Sequence, residues 1–180
     1  ASVRLEHDIA ELMANQKTTG WPFDISKAQQ LENTLLKRLE ELRHSAESMC
    51  WCVPGNLFTP RRDNKKQGYI AGAEMQRLKE FNPSSREHIA WWFKTNQNWK
   101  PNKFTPTGKA VIDETVLKEI GTKEALVFLE ILETQKKLGM LSQGTNAWLK
   151  LVKDGRLHHS CFIGAATHRM AHAHPNLAQV

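Results

Sequence analysis

The sequence of 180 residues lacks several features that would place it in a specialised class of protein. No apolar run approaches the ~18 residues that a membrane-spanning helix needs, and no signal-peptide core follows Ala1. Its three cysteines are too few, and of odd number, for a disulfide framework, which favours a reducing compartment such as the cytoplasm. A phosphate-binding loop, a nucleophile elbow and a glycine-rich dinucleotide turn are also missing, so no self-contained enzyme site is recognisable.

Acidic residues are missing from one end of the chain. Residues 155–180 contain no Asp or Glu, although five of the eight histidines lie there. The whole chain carries 25 Lys and Arg against 19 Asp and Glu, a net charge of +6. Residues 1–48, with 6 basic and 8 acidic residues, account for −2, which leaves +8 for residues 49–180. This distribution suggests a polyanionic partner, most often nucleic acid, although surplus lysine that only maintains solubility fits the charge equally well.

Apolar periodicity predicts helices at the start of the chain. Residues 5–16 repeat apolar positions at three- and four-residue steps, and Gly20 supplies a stop. Ser26 and Gln29 form a capping-box pattern for a second helix with a leucine stripe. Two long helices joined by a short turn are expected to lie antiparallel, so residues 1–48 are predicted to form a helical hairpin.

The periodicity disappears in the middle of the chain and then returns. Residues 49–80 are rich in Pro, Gly, Lys and Arg, which predicts an irregular basic insert. Ser84 is then expected to cap a helix with a buried face, and further helices are predicted near residues 114–119 and 122–141. A turn at 154–155 should lead into a strand over 157–163.

The cysteines and histidines do not form a recognisable metal motif. Cys50 and Cys52 are separated by one residue, whereas zinc sites use two to four, and Cys161 lies more than a hundred residues away. The histidines near the far end have no carboxylate nearby in sequence to orient an imidazole. We therefore expect no metal site, and a metal-dependent protein built on these residues is a distant alternative.

Five groups of segments, in the same order along the chain, resemble the family A DNA polymerases, particularly the phage-type branch. They are residues 5–9 with 20–24, 69–73 with 81–86, 135–139 through 146–149, 154–158, and 167–169 with 174–180. The resemblance implies a mainly α fold with a small β element. It divides the chain into a helical hairpin opening the polymerase domain (1–48), the basic insert (49–80), thumb helices (81–153), and the first palm strand with the primer-terminus motif (154–180).

The resemblance implies DNA-directed DNA synthesis in replication, with this part of the chain gripping primer–template duplex through phosphates and the minor groove. Arg169 matches the arginine that reaches the minor groove at the primer terminus, where hydrogen-bond acceptors are nearly the same for every base pair. The DNA-binding residues implied are Arg169, Asn176, Gln179, Thr167, Lys136, Lys137, Gln143, Thr145, Asn146, Lys150, Arg156, Ser84 and Ser85.

Two departures from the family pattern affect these expectations. His168 stands where the family has a glycine before the arginine, so the local turn is expected to differ. The basic insert occupies the place where one phage relative carries a longer insert that recruits thioredoxin as a processivity factor. The shorter insert argues against thioredoxin recruitment here, while direct DNA contact through Arg61, Arg62, Lys65 and Lys66 stays open.

In the family, the paired carboxylates that hold two divalent metals lie beyond the motif that ends at Val180. We therefore expect no catalytic residue, metal or cofactor in this chain, with Mg²⁺ implied only for a full-length polymerase. The chain is expected to be a fragment that binds duplex DNA weakly and extends no primer, located in the host-cell cytoplasm if it is phage-encoded. The alternative is a free-standing, non-catalytic, sequence-independent DNA-binding module. The two differ in whether the reading frame continues past Val180.

Overall fold

The computed structural model describes residues 2–162 and 170–177. The helices within these ranges are α1 (Ser2–Thr19), α2 (Ile25–Met49), α3 (Arg86–Asn96), α4 (Glu114–Ile120), α5 (Lys123–Leu138) and α6 (Trp148–Leu151), with a π-helical segment, Gly139–Gln143, directly after α5. The strands are β1 (Trp21–Pro22), β2 (Cys52–Phe58), β3 (Met75–Glu80), β4 (Val152–Lys153), β5 (Arg156–Leu157), β6 (Ser160–Phe162) and β7 (Ala171–Ala173). The predicted mainly α class with a small β element is confirmed. None of the described helices has the length and apolar character to cross a bilayer.

The chain forms two compact units. The first unit comprises residues 1–38 and 134–180, and the second comprises residues 39–133. The described residues form three small antiparallel sheets. The first unit holds the sheet β1-β5-β4 and the pair β6-β7, and the second holds the pair β2-β3. The four segments assigned from the sequence stay a prediction.

Helices α1 and α2 form where the periodicity predicts them, with a different cap. Helix α1 ends before Gly20, whose φ of 68° is a left-handed conformation that terminates a helix without the cost a side chain would add. Helix α2 begins at Ile25, because the Asp24 carboxylate accepts a hydrogen bond from the backbone N–H of Lys27 at 3.0 Å. The predicted capping box at Ser26 is therefore wrong, since an aspartate two residues earlier already supplies the cap.

The expected packing of α1 along α2 is not observed. The two helices share few close backbone contacts, and α1 makes its main contacts with β6. The predicted apolar stripes are correspondingly incomplete, because Leu5, Leu12 and Leu31 are 60%, 58% and 52% exposed. The helices are confirmed, while the hairpin expected from their short connection is not a packed pair.

The predicted strand over residues 157–163 contributes to two strands of different sheets in its described part, residues 157–162, and Ile163 lies outside the described residues. Strand β5 pairs with β4 through a turn at Asp154 and Gly155, whose φ angles of 49° and 70° suit the two-residue turns that match strand twist. His158 and His159 then leave this sheet, and β6 pairs with β7 in the register Cys161 opposite His172. The prediction was wrong because pairing partners, which local periodicity does not encode, decide where each strand ends.

The predicted irregular insert, residues 49–80, contains two regular strands, which lie in the second unit. Strands β2 and β3 pair antiparallel, with a shift of register between Pro54 and Leu57. A proline and a glycine next to this shift hide the strand signal, since both residues are tolerated in strands mainly at such irregularities. The connection between the two strands carries the exposed Arg61, Arg62, Lys65 and Lys66.

An aromatic cluster forms the core of the second unit. Phe128 is fully buried on α5, and its ring centroid lies 5.6–5.9 Å from those of Phe81, Trp92 and Phe93. Ile89 and Phe93 of α3 are fully buried as predicted. The cap of α3 is Ser85, whose hydroxyl accepts from the backbone N–H of His88, so the assignment of the cap to Ser84 was off by one residue.

Candidate nucleic-acid interface

The predicted thumb tip presents two uncompensated cations. Lys136 and Lys137 lie in the last turn of α5, and both are exposed. Within residues 2–162 and 170–177, neither lysine forms a salt bridge, whereas Lys109 and Lys118 are paired with Glu87 and Glu114. Exposed, unpaired ammonium groups can exchange their counterions for phosphates, which is the physical basis of sequence-independent DNA binding.

The turn after α5 is closed by a backbone contact that requires glycine. The π-helical segment ends where the N–H of Gly144 donates to the carbonyl of Gly139 at 2.9 Å. A Cβ atom on Gly144 would lie 2.4 Å from the same carbonyl oxygen, closer than real Cβ atoms approach. Gly144 therefore serves the closure of the turn itself, and π-helical turns of this kind are frequent at functional sites.

The side chain of Lys150 stabilises this turn through two hydrogen bonds. Its ammonium donates to the carbonyls of Gln143 and Gly144, each at 3.0 Å. The Gly144 carbonyl also accepts from the backbone N–H of Ala147 at 3.3 Å, so the ammonium adds a second donor there and supplies a donor to the Gln143 carbonyl at the end of the π-helical segment. The exposed Lys150 therefore helps to position the turn, and its predicted contact with DNA stays a prediction.

The other predicted tip residues lie on the surface of this turn. Gln143, Thr145 and Asn146 are exposed. Asn146 also lines an open cavity of about 350 Å³, together with Trp148, His172 and Asn176. Two predicted DNA-binding amides, one from the thumb tip and one from the primer-terminus motif, thus face the same cavity.

Arg156 is directed towards α1. Its guanidinium donates from Nη1 to the carbonyls of Thr19 and Gly20, at 3.2 and 2.9 Å. Nδ1 of His158 lies 2.9 Å from the carbonyl oxygen of Lys17. The carboxyl end of α1 is therefore capped by two side chains from the β5 region, as cationic and polar groups there are expected to do. Arg156, a predicted DNA contact, has this structural role in the first unit.

Ser84 and Ser85 lie in the second unit at the start of α3. Both are half-buried, and the backbone N–H of Ser84 donates to the Asn82 side chain at 2.9 Å. Ser85 is occupied as the helix cap, at a long 3.5 Å from the His88 nitrogen. The capping role of Ser85 is observed, and contact of either serine with a phosphate stays a prediction. Thr167, Arg169 and Gln179 lie outside the described residues.

The structure brings together two of the C-terminal histidines and a cysteine, a combination for which the sequence predicted no metal site. Sγ of Cys161 lies 3.2 Å from Nε2 of His159 and 3.4 Å from Nδ1 of His172, and one potential ligand atom from each residue lies within 4.8 Å of the others. The two imidazole rings are stacked, with an interplanar angle of 12°. The only sequence signal for this cluster is the spacing of His159 and Cys161, since residues i and i+2 of an extended segment share a face.

The cluster is partly withdrawn from solvent. His159 is only 4% exposed, and burial, together with the neighbouring His172, lowers the pKa of its imidazole. Burial also raises the pKa of the Cys161 thiol. Nδ1 of His159 is buried and has no hydrogen-bond partner among the described residues.

This donor set does not fit the Mg²⁺ that a full-length polymerase would use. Mg²⁺ binds carboxylate and water oxygens in octahedral geometry, whereas the cluster offers two imidazole nitrogens and one sulfur. The sequence after Asp154 contains no carboxylate side chain that could complete an oxygen site there.

Comparison with known proteins identifies relatives along nearly the whole chain. The chain is 32% identical to the DNA-directed DNA polymerases of Enterobacteria phage T3 and Escherichia phage T7. Each alignment is 229 residues long and covers 99% of this chain. The chain spans 32% of the length of each relative. No protein-family model matches the chain.

A solved structure has a similar fold. The POL domain of Pol1 from M. smegmatis, in complex with DNA primer-template and dNTP, superimposes with a TM-score of 0.62 at 19% sequence identity, over 93% of this chain and 25% of that one. The resemblance of the sequence to the phage-type family A polymerases is thus confirmed by relatives at the sequence level, and the fold by this structure.

Proposed function

The chain is a relative of the phage-type family A DNA polymerases over nearly its whole length, and on this basis we propose that it grips primer–template duplex as the thumb of a DNA-directed DNA polymerase. The 32% identity along 99% of the chain carries this proposal. The chain spans about a third of the length of these relatives. Nucleotidyl transfer, the use of Mg²⁺ and a location in the host-cell cytoplasm are therefore proposed for a whole polymerase and not for this chain alone. Thioredoxin recruitment is not part of the proposal.

The charge on the predicted thumb tip supports this role. Lys136 and Lys137 are exposed and unpaired within the described ranges, at the end of the helix that leads into the tip. The tip adds short polar side chains at Gln143, Thr145 and Asn146, which can hydrogen-bond to phosphate and sugar oxygens of any sequence. A positive surface with such donors suits duplex binding that is indifferent to base sequence.

The salt dependence of DNA binding tests this surface. We expect the 180-residue chain to bind a fluorescent primer–template duplex, with an affinity that falls steeply with salt and does not depend on sequence. The double variant Lys136→Ala/Lys137→Ala should reduce the slope of log K against log salt by about 2, because each lysine that loses a phosphate contact removes about one unit. Fluorescence anisotropy at several salt concentrations measures both quantities.

A charge-matched variant provides the control. Lys37→Ala/Lys123→Ala removes the same two charges from exposed positions on α2 and α5 that are not at the tip. We expect its salt slope to stay within experimental error of the unmodified chain. Equal loss of slope in both double variants would mean that net charge, and not the tip, governs binding.

Arg169 has a second, separable role in the proposal. As the residue matching the family's minor-groove arginine, it should contribute most at the primer end. Arg169→Ala is expected to weaken binding to a recessed primer–template more than binding to a blunt duplex of equal length, whereas Lys65→Ala should affect both duplexes equally. If Arg169→Ala, like Lys65→Ala, weakened binding to the two duplexes equally, the assignment of Arg169 would be refuted.

A further inference from the structure

The cluster of His159, Cys161 and His172, which we call the β6–β7 cluster, has the composition of a site for a borderline-soft metal ion. Cys161 and His172 are directly opposed in the β6–β7 register, and cross-strand partners project to the same side of a sheet. His159 precedes Cys161 by two residues and its imidazole reaches the same sulfur. Three ligating side chains thus converge from two strands of a single antiparallel pair.

The distances in this cluster agree with a tetrahedral site. Zn–S and Zn–N bonds of about 2.3 and 2.0–2.1 Å at a tetrahedral angle place sulfur and nitrogen roughly 3.5 Å apart. The observed separations between the Cys161 sulfur and the two ring nitrogens are 3.2 and 3.4 Å. A ring nitrogen of His159 lies within 4.8 Å of one of His172, so all three potential ligand atoms are near enough for one ion to lie among them.

We propose that His159, Cys161 and His172 bind one Zn²⁺ ion that fastens β6 to β7. One thiolate and two imidazoles are ligands that zinc accepts, and a fourth position is left for water or another ligand. Cys161 loses its thiol proton to solvent on binding, since the thiolate is the ligand. The two strands pair over three residues each, so an ion that ties one strand to the other adds to a short ladder.

The site would stand beside the cavity that contains the predicted DNA-binding amides, because His172 lines that cavity. It does not depend on the proposed polymerase function. The proposal concerns only the ion and its three ligands, and its test involves no DNA.

Titration of the reduced, metal-free chain with Co²⁺ and Zn²⁺ tests the site directly. We expect one equivalent of Co²⁺ to produce a thiolate-to-cobalt charge-transfer band, and Zn²⁺ to displace the cobalt and remove the band. Cys161→Ser should abolish the band, and His172→Gln should weaken binding by more than about 100-fold, beyond the loss typical of groups that only support ligands. Cys52→Ser, which removes a cysteine outside the cluster, should leave both band and affinity unchanged.

A second measurement uses the unmodified chain and avoids any effect of mutation on folding. Zn²⁺ should slow alkylation of Cys161 by iodoacetamide at least tenfold, as read by mass spectrometry of the labelled peptides, while Cys50 and Cys52 react at unchanged rates. Protection of Cys50 and Cys52 with Cys161 unprotected would overturn the proposal. Zinc binding that is undiminished in Cys161→Ser would also overturn it, because it would reflect adventitious binding to other histidines. Binding of Cu⁺ without any binding of Zn²⁺ would likewise reject the proposed ion.

Discussion

A methyl group added at Gly139 should raise the stability of the chain, whereas the same group added at Gly144 should lower it. Gly139 and Gly144 are the two ends of the backbone hydrogen bond that closes the π-helical segment. A Cβ atom on Gly139 meets no atom within 4 Å outside its own helix, whereas a Cβ atom on Gly144 meets the Gly139 carbonyl oxygen at 2.4 Å. The substitutions Gly139→Ala and Gly144→Ala therefore form a matched pair with the same chemical change.

The magnitudes follow from helix propensity and steric overlap. Gly139→Ala should stabilise the first unit by about 0.5–1 kcal/mol, since alanine in a helical turn has less freedom to lose on folding than glycine. Gly144→Ala must push the turn apart, which adds about 1–3 kcal/mol of overpacking and weakens a hydrogen bond worth about 1 kcal/mol. Its expected cost is about 2–4 kcal/mol.

Urea unfolding followed by far-ultraviolet circular dichroism measures both effects as shifts of the midpoint at constant slope. The midpoint should rise for Gly139→Ala and fall for Gly144→Ala. The reasoning is refuted if Gly144→Ala is as stable as the unmodified chain, or if both variants lose stability equally. In either case the close approach of residue 144 to the Gly139 carbonyl would not determine the turn.

Three further predictions concern the core and the ends of two helices. Phe128→Ala should destabilise the second unit by about 3–5 kcal/mol, because the ring is fully buried among three other aromatic rings, whereas Leu126→Ala, at a position 52% exposed, should change the midpoint of urea unfolding little. Arg156→Gln should cost about 1–2 kcal/mol and speed amide exchange near the end of α1, since two carbonyls lose their partner, while Arg86→Gln, at an exposed position, should leave exchange in α1 unchanged. The backbone N–H of Lys27 donates to the Asp24 carboxylate, and this hydrogen bond is the main reason that the pKa of the Asp24 carboxyl lies below its usual range. The nearby Lys27 ammonium lowers the same pKa further. The cap should therefore contribute fully above the ordinary carboxyl pKa of about 4 and be lost as pH falls through the lowered value. A nuclear magnetic resonance titration that gives Asp24 an ordinary pKa would contradict this, and Asp24→Asn should remove the pH dependence while keeping most of the cap.

Local signals in the sequence were sufficient for most of the helices. The buried face of α3 and the stop at Gly20 depend on side-chain periodicity and on one backbone preference, both of which are encoded within a few residues. Both capping residues were predicted at the wrong position: Ser26 was predicted where Asp24 is the cap, and Ser84 where Ser85 is the cap. Several candidates in a row satisfy the same sequence pattern. Only the backbone conformation selects among such candidates.

The strands were harder to predict because their partners are distant in sequence. Strand β2 contains a proline and a glycine at an irregular register, so its own composition indicates a loop, and pairing with β3 overrides that preference. The β6–β7 cluster was missed for the same reason. Cys161 and His172 become neighbours through the register of two strands, and no spacing motif records that register.

Positive charge illustrates most directly why residue type alone does not define an interface. Lys136, Lys137, Lys150 and Arg156 count equally in the net charge of the chain, and all four were predicted to contact DNA. In the structure, Lys150 and Arg156 direct their charged groups at backbone carbonyls, the first at the tip turn and the second at the end of α1. Removing either one should therefore alter stability before it alters the salt slope. Lys136 and Lys137 have no such carbonyl or carboxylate partners among the described residues, which leaves their ammonium groups available to phosphates. A charge count cannot tell a cation that is held by backbone carbonyls from one without a partner among the described residues, because that difference depends on where each side chain finds its acceptors.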